Sequence, residues 1–421
     1  MNPLLIKNPN QIITMASRHK HGPRKGKTAM NDIGALGKNH SILIDGAKVG
    51  MIGETPAVLK NPKAKKAKVI NAEGKIVLPG FIDSHTHIVF GGERLDDFVL
   101  RSQGASYEER AKKGGGILKS VRDTREASRE ELLERLEYWC SQALKHGATT
   151  VEIKTGYGLS FKDERKLLDV INEGMKTFPI EIIPTFLGGH AVPPEFKNKR
   201  NQYIKLVIKK MLPAFNQKAR FFDVFCEKGY FTHEESKKMF EAAKKLGYSL
   251  KIHAEQLNHT DGIKAAIDAG CVSADHLDFA ADDDIKELSN SNCIATLLPA
   301  SNLFLKTGAY PKARAMIDGG AAVALATDFN PGTSPTLNLA FVMSLAVTQM
   351  GMTPEEAIAA VTVNAAHAIE RGEDLGIIKE GKQADIVIFD CKDYREIPYY
   401  MGMNMVSGVI KKGHPFLSPL P

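Results

Sequence analysis

Pro79-Gly80-Phe81-Ile82-Asp83-Ser84-His85-Thr86-His87 carries a short apolar run straight into two histidines one residue apart. Strand periodicity is two, so these imidazoles share one side of an extended segment and both can reach one ion. An HxH pair alone is usually a surface or core feature, and its meaning depends on the rest of the chain. Seven further β-rich runs follow: 149–153, 180–186, 221–225, 249–252, 271–274, 293–298 and 322–326. With the first they make eight, separated by segments of helical periodicity. Such alternation implies parallel βαβ units, and eight units are what a closed (β/α)8 barrel of the TIM type requires.

The helices between the runs are marked by their caps. Ser128-Arg129-Glu130-Glu131, Thr232-His233-Glu234-Glu235 and Thr353-Pro354-Glu355-Glu356 each have the S/T-x-x-E pattern of a capping box. Gly147 and Gly247 stand where the first two helices should stop. Outside the middle of the chain the texture changes to short apolar runs broken by Gly, Pro and Lys, as in 41–46, 67–71, 384–389 and 406–413. The expected α/β architecture is therefore a barrel over 79–371 and a small β-sandwich built from both termini, 1–78 and 372–421.

Composition is that of an ordinary folded protein: 421 residues, 43% hydrophobic and 25% charged. No apolar run approaches membrane-spanning length and the first residues lack a secretory apolar core, so the expectation is a cytoplasmic protein without membrane association. Five scattered cysteines offer no disulfide framework and read as reduced, buried thiols. Much of the +7 charge sits in two runs, Arg18–Lys27 and Lys60–Lys68, that lack interleaved aromatics. They read as solvated loops, and no nucleic-acid partner is expected.

In a barrel the residues at the C-terminal strand ends face the active site. Those positions hold His85 and His87 after the first run, His190 after the third, His253 after the fifth, Asp275-His276 after the sixth and Asp328 after the eighth. Five of the 13 histidines thus fall on one face. His85, His87, His253 and Asp328 form a three-His, one-Asp set suited to one Zn2+ or Fe ion, with room for a water. Lys154, after the second run, reads as a charge near the pocket or an internal ion pair, with a covalent role the weaker alternative.

The stretch from Pro79 to His87 resembles the opening motif of the metal-dependent amidohydrolases. Their signature also includes a strand-five His, a strand-six His and a strand-eight Asp, matched here by His253, His276 and Asp328. Gly381-Lys382-Gln383-Ala384-Asp385-Ile386-Val387 is similar to their β-sandwich tail. The carboxylated lysine that bridges two metals at strand four in many members has no counterpart, since Lys228 lies past the strand end; one metal is expected.

Within that superfamily the motifs Phe90–Arg94, Gly104–Tyr107, Gly114–Ile117, Glu152–Leu159, Thr185–His190, His253–Leu257 and Ala326–Pro335 are similar to those of the imidazolonepropionase family. The resemblance implies hydrolysis of the cyclic amide C–N bond of 4-imidazolone-5-propanoate to N-formimidoyl-L-glutamate. It also implies roles: His276 at the carbonyl or oxyanion, Asp328 as proton relay, and Gln256 and His190 beside the ring atoms and carbonyl. Arg94 and Tyr157 would take the propanoate carboxylate, and Asn330, Gly332 and Thr333 the product's groups. A small-molecule substrate bearing a carboxylate and a homodimer belong to the same expectation. A purine or pyrimidine deaminase would share every metal ligand and differ at Arg94, Tyr157 and the Asn330 loop; a metal-binding barrel without turnover is the third possibility.

Overall fold

The computed structural model describes residues 2–16, 22–104 and 115–417. Eight strands form the central sheet: β1 (Phe81–Thr86), β2 (Ala148–Lys154), β3 (Glu181–Gly189), β4 (Phe221–Cys226), β5 (Ser249–Ala254), β6 (Ser273–His276), β7 (Ile294–Leu297) and β8 (Val323–Leu325). Each pairs in parallel with the next in chain order. The ring closes just past β8, where Asp328 N–H donates to the His85 carbonyl at 3.1 Å and His87 N–H to the Phe329 carbonyl at 2.9 Å. All eight runs read from the sequence are strands of this barrel, and the TIM-type fold is the one expected.

Apart from Glu181 and Ser249, the partly exposed first residues of β3 and β5, the strands are buried along their length, as Phe221-Phe222-Asp223-Val224-Phe225-Cys226 illustrates. A parallel sheet covered on both faces needs such sequences, with helices outside and a packed barrel interior inside. The three capping boxes form as read: Ser128, Thr232 and Thr353 each accept from the N3 backbone while the N3 glutamate reaches back. Each such cap contributes about 1 kcal/mol to fixing where its helix begins. In helix Arg129–Lys145 the buried stripe is Leu132, Leu136, Cys140, Ala143 and Leu144.

The terminal segments meet in two sheets. A six-stranded sheet runs in the order His414–Leu417, Val406–Lys411, Ile386–Phe389, Ile76–Pro79, Gln11–Ile13, Ala35–Leu36. Its join between the two ends of the chain is the antiparallel pair of Ile386–Phe389 with Ile76–Pro79. Lys48–Glu54, His40–Asp45, Leu4–Lys7 and Lys68–Asn71 make a four-stranded sheet. Ile6, Ile12, Ile42, Ile386, Ile388 and Ile410 are buried together in the core these sheets share.

The first basic run departs from its reading as a solvated loop. Arg24 is buried, with its N–H bonded to Asn364 Oδ1 at 2.6 Å and its guanidinium to the Met15 carbonyl at 3.0 Å. Gly26–Met30 is a short helix. One guanidinium nitrogen finds a backbone acceptor there, which charge counting alone does not show. Residues 18–21 of that run lie outside the described residues, as do Ala105–Tyr107 and Gly114 of the motifs quoted above. All five cysteines are buried and free. No helix among the described residues is long and apolar enough to cross a membrane.

Candidate active site

Strand ends alone do not aim side chains into one point; the backbone at several of them turns sharply. His276 has φ +82°, Asp328 +53° and Glu255 +54°, all in the left-handed region. Such conformations cost on the order of 1–3 kcal/mol in residues with a side chain and persist where the surroundings enforce them. Here they bend the chain inward just as it leaves β5, β6 and β8.

The four residues read as metal ligands converge. Nε2 of His253 lies 3.4 Å from Nε2 of His87, and Asp328 Oδ1 lies 3.6 Å from Nε2 of both His85 and His87. A tetrahedral ion with bonds of about 2.0–2.1 Å sets its ligand atoms about 3.3–3.4 Å apart, close to these separations. His85 Nε2 is buried without a hydrogen-bond partner, as are His87 Nδ1 and His276 Nδ1. A buried polar atom left this way costs about 1–3 kcal/mol unless something binds it. Three nitrogen donors and one carboxylate facing a common point fit a divalent cation, and either zinc or ferrous iron is served by them.

Among the described residues, two groups have metal-ligand geometry, His85 with His87 and His253, and His85 with His276 and Asp328. They share His85 and describe one centre. Burial first, then neighbouring Lys154 and the other imidazoles, pushes His85 well below the ordinary histidine range; burial, His190, His253 and Lys154 do the same for His87. Neutral imidazoles are what a metal needs. Burial pushes the Asp328 carboxyl up to about 7 against the pull of His253, Asn330 and Thr333. A cation between the imidazoles reverses that penalty.

The cage is held from below by Asp275, Lys154 and Asp223, the last of which had no part in the sequence reading. His85 Nδ1 donates to Asp275 Oδ2 at 2.6 Å, and His253 Nδ1 to Asp223 Oδ1 at 3.0 Å. These bonds fix the tautomer that turns Nε2 toward the cage. Lys154 bonds Asp223 at 2.7 Å and Glu152 at 2.9 Å, all fully buried. Burial opposes its charge, yet Asp223, Glu152 and Asp275 hold the ammonium above the ordinary lysine range. An amine so committed is no nucleophile, which decides the choice left open for Lys154 in favour of an internal ion pair.

The remaining candidates surround the cage. His190 stacks on His87 with ring centroids 5.3 Å apart and donates from Nδ1 to the Gly156 carbonyl at 3.0 Å. Burial lowers its pKa to about 3, leaving Nε2 an acceptor. Tyr157 packs on both rings, with centroids 5.9 Å from His87 and 5.4 Å from His190. Gln256 is nearly buried and follows Glu255, whose carboxylate ties down its loop through Thr260 N–H at 2.6 Å and Gly262 N–H at 2.7 Å.

Arg94 is not paired with Glu93 or Asp97: Glu93 bonds Arg135, and Asp97 accepts from Gly116 N–H at 2.8 Å. Its Nε donates to Ser120 Oγ at 2.8 Å. The guanidinium packs against Gly332, where a Cβ would stand 2.1 Å from Nη1 and displace the arginine. Asn330 is turned into its own loop: Oδ1 accepts from Gly332 and Thr333 N–H, both at 2.8 Å, and Nδ2 donates to the Asp328 carbonyl at 2.7 Å. Thr333 Oγ1 reaches Asp328 Oδ2 at 3.3 Å.

One carboxylate shapes the Tyr157 loop. Glu164 accepts from the N–H groups of Gly156 at 3.2 Å, Gly158 at 2.8 Å and Leu159 at 2.7 Å, all buried. Glu164→Ala would leave three donors unpaired, and an expected stability loss of about 1–3 kcal/mol for each should appear as a lower melting temperature. An unchanged melt would show that this carboxylate does not hold the loop.

A barrel with a four-donor cage at its C-terminal mouth defines a metal-dependent hydrolase class, and residues 76–415 match the amidohydrolase family model. The chain is also 44% identical over 417 residues to the imidazolonepropionase of Geobacillus kaustophilus, covering 98% of this chain and 97% of that one. It therefore belongs to the amidohydrolase family and, within it, to the imidazolonepropionases, hydrolases of carbon–nitrogen bonds. Among solved structures, a triazine hydrolase variant superposes with TM-score 0.75 at 16% identity, covering 100% of this chain and 95% of that one. An adenosine deaminase from Xanthomonas campestris with bound zinc gives TM-score 0.69 at 15% identity, covering 99% and 93%. At those identities they speak for the fold.

Proposed function

We propose that the chain opens the ring of 4-imidazolone-5-propanoate by adding water across its cyclic amide, giving N-formimidoyl-L-glutamate, with one ion held by His85, His87, His253 and Asp328. The observation that carries the reading is a guanidinium without a carboxylate partner among the described residues, set against Gly332 at the rim of a four-donor cage. Bound there, zinc or ferrous iron supplies Lewis acidity and lowers the pKa of a water toward about 7.

The chain's own groups do the rest. Arg94 and Tyr157 hold the propanoate carboxylate and so orient the ring over the cage. His190 offers its free Nε2 to a ring N–H, and Gln256 offers an amide to the ring edge. Asp328 takes the proton from the attacking water and passes it to the ring nitrogen as the C–N bond breaks. His276, kept neutral chiefly by burial, donates a hydrogen bond to the oxygen that gains negative charge. The carbonyl carbon becomes the new carboxylate of the product, so atoms and charge balance with water consumed.

Arg94→Lys tests the substrate. Arginine offers a planar fork to a carboxylate and lysine a single point charge. Loss of a charged hydrogen bond is worth about 1.5–3 kcal/mol, so kcat/KM should fall roughly 10- to 150-fold with metal content unchanged. A substrate analogue without the propanoate carboxylate should react with both proteins at similar rates. Equal discrimination against that analogue by the two proteins would remove Arg94 from carboxylate recognition.

A further inference from the structure

Beneath the cage, the Lys154 ammonium touches both carboxylates that hold metal-facing imidazoles. Its Nζ is 2.7 Å from Asp223 Oδ2 and 3.5 Å from Asp275 Oδ2. Asp223 in turn accepts from His253 Nδ1, and Asp275 from His85 Nδ1. Resting on the metal reading above, we propose that Lys154 is a positioning residue: one buried ammonium fixes two of the three imidazoles of the cage, through Asp223 and Asp275 together.

Among the described residues Asp223 has no other lysine or arginine at ion-pair distance, while Asp275 also accepts from Ser273 Oγ at 2.6 Å. An ammonium has three N–H donors in all. Two are directed at Asp223 and at Glu152, which lies 2.9 Å away and is itself bonded by the Thr185 hydroxyl. Asp275 stands at ion-pair distance on the same side. The other buried lysine nearby, Lys251, spends its Nζ on the Ser84 carbonyl at 2.9 Å and the Ala368 carbonyl at 3.4 Å, and is 3.9 Å from Asp275. Asp83 answers to Thr327.

Without Lys154, Asp223 and Glu152 lose the cation they both bond, and the buried carboxylates repel one another. An Asp223 or Asp275 carboxylate that turns away no longer fixes its imidazole by accepting from Nδ1, and the Nε2 lone pair then loses its aim at the cage. The effect of Lys154 should therefore be read in the metal, before any substrate is present.

The experiment uses the full chain stripped of metal. Zinc affinity is measured by competition with a chelator, and the visible spectrum of the cobalt(II)-loaded protein reports ligand geometry. The parent chain is measured first, and a parent that binds no ion would overturn the metal reading and this proposal with it. With a parent that binds one ion, Lys154→Met is expected to weaken zinc binding by about 10- to 100-fold, the range for losing a partner behind a ligand, and to shift the cobalt bands. In an Asp223→Asn background the same substitution should cost less than it does alone, because one of its two routes is already cut. If Lys154→Met does not yield folded protein, Lys154→Gln takes its place. A folded variant with zinc affinity within about threefold of the parent, well short of that range, and unchanged cobalt bands would make Lys154 a merely structural ion pair, even if its melting temperature fell.

Discussion

His253→Ala is expected to yield a folded chain that retains little metal and turns over no substrate. His253 is the candidate ligand on β5, and its Nε2 lies 3.4 Å from that of His87 across the cage. Four protein ligands together bind zinc with about 10–16 kcal/mol, so an equal share for one is about 2.5–4 kcal/mol, or a loss of roughly 10^2- to 10^3-fold in affinity. The alanine also leaves Asp223 without its imidazole, although Lys154 still faces it. The barrel should survive, because the substitution removes no strand pairing and the circular dichroism spectrum should match that of the parent. Elemental analysis of the purified variant decides the matter. Full occupancy together with full activity would remove His253 from the cage and undo the ligand assignment.

The convergence of these four side chains was legible because they stand at or just past strand ends, which are visible where an apolar run stops at a histidine or aspartate. The eight-strand count was legible for a related reason: a strand buried on both faces must be apolar throughout, and so stands out from the amphipathic helices around it. The support beneath the cage was harder to read. Asp223 lies inside Phe221-Phe222-Asp223-Val224-Phe225, where neighbours on both sides are apolar and alternation does not tell which face is the barrel interior. One signal was present: a carboxylate inside such a run must find a buried cation or donor. Glu152, Lys154 and Lys251, each within a buried strand, carry the same signal with both signs of charge. Which carboxylate meets which ammonium depends on the order of strands around the ring and on their register, and only the closed barrel supplies those. Arg94 and Gly332 are a similar case, since their contact follows from how two loops meet over the mouth. Arg24 was misread because its partners, Asn364 and Met15, belong to other parts of the chain.

His276→Ala is expected to keep its metal and lose most of kcat, by about 10^2- to 10^4-fold, the range for a group acting mainly in the transition state. His276 follows the β6 register at a φ of +82°, which swings its ring toward His85 and His253, with centroids at 5.6 Å and 5.4 Å. Burial first, and His253 next, hold it well below the ordinary histidine range. It therefore meets substrate as a neutral ring with one N–H to give. A neutral donor suits an oxygen that becomes charged only as water adds, because it binds the ground-state carbonyl weakly and the oxyanion strongly. KM should accordingly change much less than kcat. The competing possibility is that His276 is itself a ligand, since it comes within reach of His85 and Asp328. Ligand loss and catalytic loss separate cleanly in one sample: metal retained with kcat reduced assigns His276 to the oxyanion, whereas metal and kcat falling together assign it to the cage. The three imidazoles already converge with Asp328 without it, which is why retention of the metal is the expected result.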